Sequence, residues 1–113
     1  MHEMSLAESV IEIVADAAAR ASASQVNTIR LEIGELSCVG ADALRFCFDA
    51  VARGTVAERA RLEIIRVPGE GVCGTCGRTA PMTALYDACP CCSDGTMQPQ
   101  RGTEMRVKEI EVD

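Results

Sequence analysis

Two cysteine pairs set the strongest constraint on how this chain can fold. Cys73-Gly74-Thr75-Cys76 and Cys89-Pro90-Cys91-Cys92 each place two thiols three positions apart, with twelve residues between the pairs. Zn²⁺ takes four ligands tetrahedrally, and a tight turn can present two thiolates to one ion. Two such turns on a short hairpin close a zinc site at Cys73, Cys76, Cys89 and Cys92. A closed site leaves no position for substrate, so its zinc is structural. Gly74 and Gly77 let the first turn bring backbone amides toward sulfur, and Pro90 stiffens the second. Cys91 is surplus: a Cys-x-Cys spacing makes a poorer turn than Cys-x-x-Cys, so it reads as a spectator. A redox dithiol or an unliganded loop are the competing readings. Few large apolar residues lie in this stretch (Met82, Leu85, Tyr86, Met97), so bound metal supplies most of its folding energy.

Composition points the same way. The chain has 113 residues, enough for one domain carrying a small module. Two Phe, one Tyr and no Trp leave a thin core of Leu, Ile and Val, for which a staple is expected. Lys and Arg total 11 against 17 Asp and Glu, a net charge of −6. That argues against a nucleic-acid partner, whose phosphates need a basic face. No run approaches the length of a membrane span, so no membrane partner is expected. The opening Met1-His2-Glu3 has no secretory pattern, which predicts a cytoplasmic protein whose seven Cys serve metal rather than disulfides. Gly69-Glu70-Gly71-Val72-Cys73-Gly74 matches a phosphate-loop spelling, but it runs into a cysteine turn instead of a helix. Lys108 is the only lysine, which rules out a Walker-type loop. With one histidine and no nucleophile–base pair, the chain does not read as an enzyme.

Periodicity predicts a helix over about 5–22. Ser5 and Glu8 fit a capping box, and Leu6, Val10, Ile13, Val14, Ala17 and Ala21 recur at helical spacing. Ile29, Leu31 and Ile33 alternate with Arg30 and Glu32, a half-buried strand ending near Gly34. A second helix follows from Asp42 to Arg53, with Leu44, Cys47, Phe48 and Val51 as its apolar stripe and Gly54 as its stop. Leu62 and Ile64 mark a second strand. Breakers at 67–71 and 99–102 flank the cysteine segment. Met105 to Val112 is strand-like, but its apolar parity changes between Val107 and Ile110, which suggests a bulge or an edge strand. Cys38 and Cys47 sit beside apolar residues and read as core thiols. The predicted class is α+β: two helices packed on a small three-stranded sheet, with an inserted four-cysteine, zinc-ribbon-like module. The expected organisation is an α/β domain over 1–67, completed by 102–113, and a zinc-binding module over 68–101.

The single histidine, His2, carries the other signal. A solvated terminal imidazole is the plain reading. Yet a bulky second residue favours retention of Met1. The Met1 amine, the His2 amide nitrogen and the imidazole then form fused chelate rings. Nitrogen ligands in a plane suit Ni²⁺ or Cu²⁺. The fourth ligand is either the Glu3 amide nitrogen or a carboxylate.

Met1-His2-Glu3, Ile33-Gly34-Glu35-Leu36-Ser37-Cys38-Val39, Leu44-Arg45-Phe46-Cys47-Phe48 and the two Cys pairs together resemble the hydrogenase-maturation nickel metallochaperones (HypA/HybF). The resemblance runs through essentially the whole chain. It implies a nickel carrier that binds Ni²⁺ at its N-terminus through the Met1 amine, His2 and Glu3, with structural zinc in a separate module. It also implies a nickel-binding GTPase and the [NiFe]-hydrogenase large subunit as partners, some relatives serving urease, with a homodimer among the assemblies allowed. The family often has an acidic residue where this chain has Gly40, and Asp42 lies two positions along. Two rival functions are a zinc-ribbon interaction or transcription module and a rubredoxin-like iron electron carrier.

Overall fold

A computed structural model of the chain describes residues 2–93 and 95–113. The elements run α1 (Glu3–Arg20), β1 (Val26–Gly34), a short 3-10 turn (Glu35–Ser37), α2 (Ala41–Ala52), β2 (Arg61–Val67), β3 (Glu70–Cys73), β4 (Thr79–Pro81), β5 (Met97–Arg101) and β6 (Met105–Val112). They form two three-stranded sheets, ordered β2-β1-β6 and β4-β3-β5. The chain divides into two compact units. One holds Met1–Glu32, Val39–Ile65 and Arg106–Asp113; the other holds Ile33–Cys38 and Arg66–Met105.

In the first unit, α1 begins earlier than the capping box predicts. The Leu6 N–H already donates to the His2 carbonyl at 3.0 Å, so Ser5 is helical and the predicted cap is not made. His2 occupies the N-cap without a side-chain capping bond. The buried face is Leu6, Ala7, Val10, Ile11, Val14 and Ala18, while Ile13 is 51% exposed. The predicted stripe has Leu6, Val10 and Val14 right but takes Ile13, Ala17 and Ala21 where Ala7, Ile11 and Ala18 are buried, because alanines and β-branched residues surround the helix. At the far end Ser22 takes a left-handed φ of 54°. Its N–H donates to Ala19 and that of Ala23 to Ala18, a Schellman closure made without glycine.

The second helix matches its pattern more closely. Leu44, Phe48 and Ala52 are buried, Cys47 and Val51 half-buried, and Gly54 follows at φ 75°. The helices α1 and α2 pack on each other. The central strand β1 buries Val26, Ile29, Leu31 and Ile33. Both outer strands are less covered, and β6 leaves only Val107, Ile110 and Val112 half-buried. Its parity shift is that of an edge strand, one of the two forms its pattern suggests. Across the polar face, Arg30 of β1 pairs with Glu63 of β2 at 2.9 Å and with Glu109 and Glu111 of β6 at 3.3 and 2.8 Å. Glu111 first, then the other two carboxylates, raise the guanidinium further above its ordinary range.

The second unit has a sheet that the sequence pattern leaves unseen, because its strands are only three to five residues long. The strand β3 is central and antiparallel to both neighbours, with Gly71 opposite Ala80 on β4 and Pro99 on β5. Its core cluster is Leu36, Cys73, Ala80, Met82, Cys89 and Met97, with Cys92 packed against it. Cys38 is not the core thiol its neighbours suggest. A left-handed φ of 60° after the 3-10 turn leaves it exposed, and Cys47 is half-buried.

Candidate metal centres

The four-thiol cluster grows from two turns of one design. In the first, Gly77 N–H donates to the Cys73 carbonyl at 3.0 Å, and Gly77 has φ 75°. In the second, Ser93 N–H donates to the Cys89 carbonyl at 2.9 Å, and Ser93 has φ 64°. Each turn therefore ends in a left-handed residue directly after its second cysteine. This curls the chain so that amides face the first sulfur. Thr75 and Cys76 N–H both reach Cys73 Sγ at 3.3 Å, and Cys91 N–H reaches Cys89 Sγ at 3.4 Å.

The turns bring Cys73, Cys76, Cys89 and Cys92 together with their sulfurs all within 4.8 Å of one another. Cys73 and Cys92 are 3.6 Å apart, Cys76 and Cys89 3.7 Å. A tetrahedral ion with metal–sulfur bonds of about 2.3 Å sets its sulfurs about 3.8 Å apart. The cluster thus has the size of a zinc site built from four thiolates. Cys91, one residue away, lies outside it and is exposed.

Electrostatics support the same fit. The Cys76 amide, helped by that of Thr75, holds the Cys73 thiol down at about 6 against the opposing effect of burial. The Cys92 amide, then that of Cys91, lower Cys89 likewise. The Arg78 amide pulls Cys76 down too, but burial and its three thiol neighbours outweigh it and push Cys76 up to about 11. Four sulfurs this close cannot all be anionic alone, and Cys76 keeps its proton. A divalent cation removes that conflict.

One residue of this site carried no cysteine signal. A Cβ on Gly95 would lie 2.0 Å from Cys73 Sγ and 3.3 Å from Cys92 Sγ. The Gly95 carbonyl belongs to the frame as well, accepting from Cys89 N–H at 3.1 Å. Only its place shortly after the second pair hints at this from sequence.

The first unit holds the N-terminal candidates. Met1, whose amine the resemblance assigns to nickel, lies outside the described residues. His2 is exposed, with φ −69° and ψ 143°. The amides of His2 and Glu3 fall among the first four of a helix, which have no intrahelical acceptor. They are therefore free of the helix ladder. The Glu3 carboxylate accepts from Gly40 N–H, with Oε2 3.3 Å from the nitrogen. Gly40 is the N-cap of α2, so the starts of the two helices are neighbours, and Asp42 lies in the first turn of α2.

Comparison with known proteins agrees with this layout. A family model described as "Hydrogenase/urease nickel incorporation, metallochaperone, hypA" matches residues 1–112. A hydrogenase maturation factor HypA from Dechloromonas aromatica is 58% identical over 113 residues, covering all of both chains. One from Albidiferax ferrireducens is 50% identical over the same extent. The solution structure of the Ni metallochaperone HypA from Helicobacter pylori superposes with a TM-score of 0.73 at 26% identity, covering 99% of this chain and 97% of that one. Neither a transcription module nor a rubredoxin is favoured by these matches. The chain belongs to the HypA family of hydrogenase and urease nickel-incorporation metallochaperones.

Proposed function

We propose that this protein carries Ni²⁺ for the maturation of [NiFe]-hydrogenase. The observation that carries the reading is the family match over residues 1–112, which takes in both the N-terminal residues and the cysteine turns. The N-terminal part, 1–67 completed by 102–113, serves as the nickel-binding domain. Its ligands are the Met1 amine, His2 and Glu3. Uncommitted amides at the start of α1 and an imidazole not used for capping support that assignment. The module over 68–101 holds a structural Zn²⁺ on Cys73, Cys76, Cys89 and Cys92, supported by the sulfur spacing. The protein works in the cytoplasm as a carrier and not as a catalyst. It hands its cargo on with a nickel-binding GTPase and the hydrogenase large subunit. Among the described residues no helix is long and apolar enough to cross a membrane.

The test is calorimetric titration of Ni²⁺ into untagged protein, N-terminally acetylated protein and His2→Ala. Losing either nitrogen opens the chelate, so both modified proteins bind much more weakly than the first. Protons compete for amine, imidazole and amide nitrogens, so affinity falls steeply from about pH 8 to about pH 6. Equal affinity in all three proteins would place nickel elsewhere and leave the reading without its site.

A further inference from the structure

We infer that the backbone N–H of Gly40 is a positioning group for nickel capture: it holds one oxygen of Glu3 at the start of α2 and leaves the other oxygen for the metal. The inference rests on the proposed N-terminal nickel site and adds a group to it from a different part of the chain.

The geometry is specific. Glu3 is the first residue of α1 and Gly40 the N-cap of α2. Oε2 of Glu3 accepts from Gly40 N–H at 3.3 Å, across 37 residues of sequence. A glutamate has three side-chain torsions, and at a half-buried position such as this one they keep part of their freedom. Ordering it costs entropy that a metal ligand must otherwise supply on binding. One fixed oxygen removes much of that cost beforehand. The donor is an amide that α2 does not use, since only the N-cap carbonyl enters the helix, accepting from Leu44 N–H at 2.9 Å. With glycine at position 40, no side chain there offers a carboxylate of its own. The main chain instead orients the carboxylate of Glu3.

A single atom can be removed to test this. Gly40 has φ −78° and ψ 120°, which proline adopts without strain. A Cβ there would meet only the Ala43 Cβ, at 3.7 Å. Gly40→Pro and Gly40→Ala both add a Cβ in ordinary contact, and only the first replaces the N–H hydrogen, with a ring carbon that faces Glu3 in its place. Nickel is titrated into both variants, with Glu3→Ala and acetylated wild-type protein alongside. We expect Gly40→Pro to bind Ni²⁺ about threefold to tenfold more weakly than Gly40→Ala, the range of one hydrogen bond. Its nickel d–d spectrum should resemble that of Glu3→Ala, whereas Gly40→Ala keeps the wild-type spectrum. Equal affinities and spectra for the proline and alanine variants would overturn the inference while leaving the nickel site intact. Unchanged binding by the acetylated protein would instead overturn the site itself, and the inference with it. Should Gly40→Pro melt below the wild type, the titrations are repeated at a temperature where both Gly40 variants are fully folded. A loss confined to Gly40→Pro then supports the inference, and equal affinity overturns it.

Discussion

The helical unit and the cysteine unit of this chain bury different chemistry. The first fills its interior with Leu6, Val10, Val14, Ile29, Leu31, Leu44 and Phe48. The core cluster of the second consists of Leu36, Ala80, Met82 and Met97 together with Cys73 and Cys89, two of the four thiols proposed to hold zinc. Apolar burial at about 25 cal/mol per Å² can order the helical unit. The cysteine unit has no comparable reserve, since its sheet is built from strands of only three to five residues. Removing solvent and, on the proposed zinc reading, binding an ion are two solutions to the same problem, the small surface a short chain can bury.

The largest effect should come from separating the two solutions. Stripping zinc with a chelator, or making Cys73→Ser, should abolish amide-exchange protection across β3, β4 and β5 and leave α1 and α2 protected. Structural zinc in small modules supplies about 10–16 kcal/mol, more than most domains have in total stability. Cys91→Ser should keep its zinc. Protection that survives the loss of metal would mean the cysteine unit has a sufficient core of its own.

A smaller and opposite result is expected from Leu31→Ala. Leu31 is 1% exposed at the centre of β1. Truncating such a side chain costs about 2–5 kcal/mol. Denaturant unfolding should show that loss in the helical signal, while zinc stoichiometry at low denaturant stays at one per chain. Loss of zinc in the same variant would tie the units together more closely than their separate cores imply.

Gly95→Ala should have the mildest effect of the three. The added carbon overlaps Cys73 Sγ, so a sulfur or the backbone must shift. Overpacking of this kind costs about 1–3 kcal/mol. Competition with a chromophoric chelator should report weaker zinc binding with the helical unit unaffected. An undiminished affinity would show that the turns adjust more readily than their hydrogen bonds suggest.

What could be read beforehand follows the same division. Cysteine spacing is local, so the clustering of Cys73, Cys76, Cys89 and Cys92 could be read from it, and Gly77 from the turn it serves. Ser93 could not, because serine carries no preference for the left-handed conformation that it takes here. Gly95 was hidden because a close approach depends on how two turns meet. In the helical unit, Ile29, Leu31 and Ile33 announced β1 by alternation. The α1 stripe failed at Ile13 because alanine-rich helices leave the apolar face poorly marked. The capping box failed at Ser5 because His2 could begin the helix one turn sooner. Cys38 looked apolar by its neighbours, but the turn after β1 points the chain outward. The bond from Gly40 to Glu3 needed the fold, since no pattern brings the starts of two helices together.

The pairing of β1 with β6 bears on the order of assembly. Glu32 and Arg106 meet across 74 residues, so the sheet of the helical unit closes only after a long excursion of the chain. Within that excursion β3 and β5 set Glu70 beside Arg101. Once they pair, the loop that remains to be closed is shorter by about thirty residues. By the logarithmic dependence of closure entropy on length this saves about 0.5 kcal/mol, roughly a twofold gain in closing rate. Completion of the carrier body is therefore a late step, and its timing depends slightly on whether the cysteine turns have already folded.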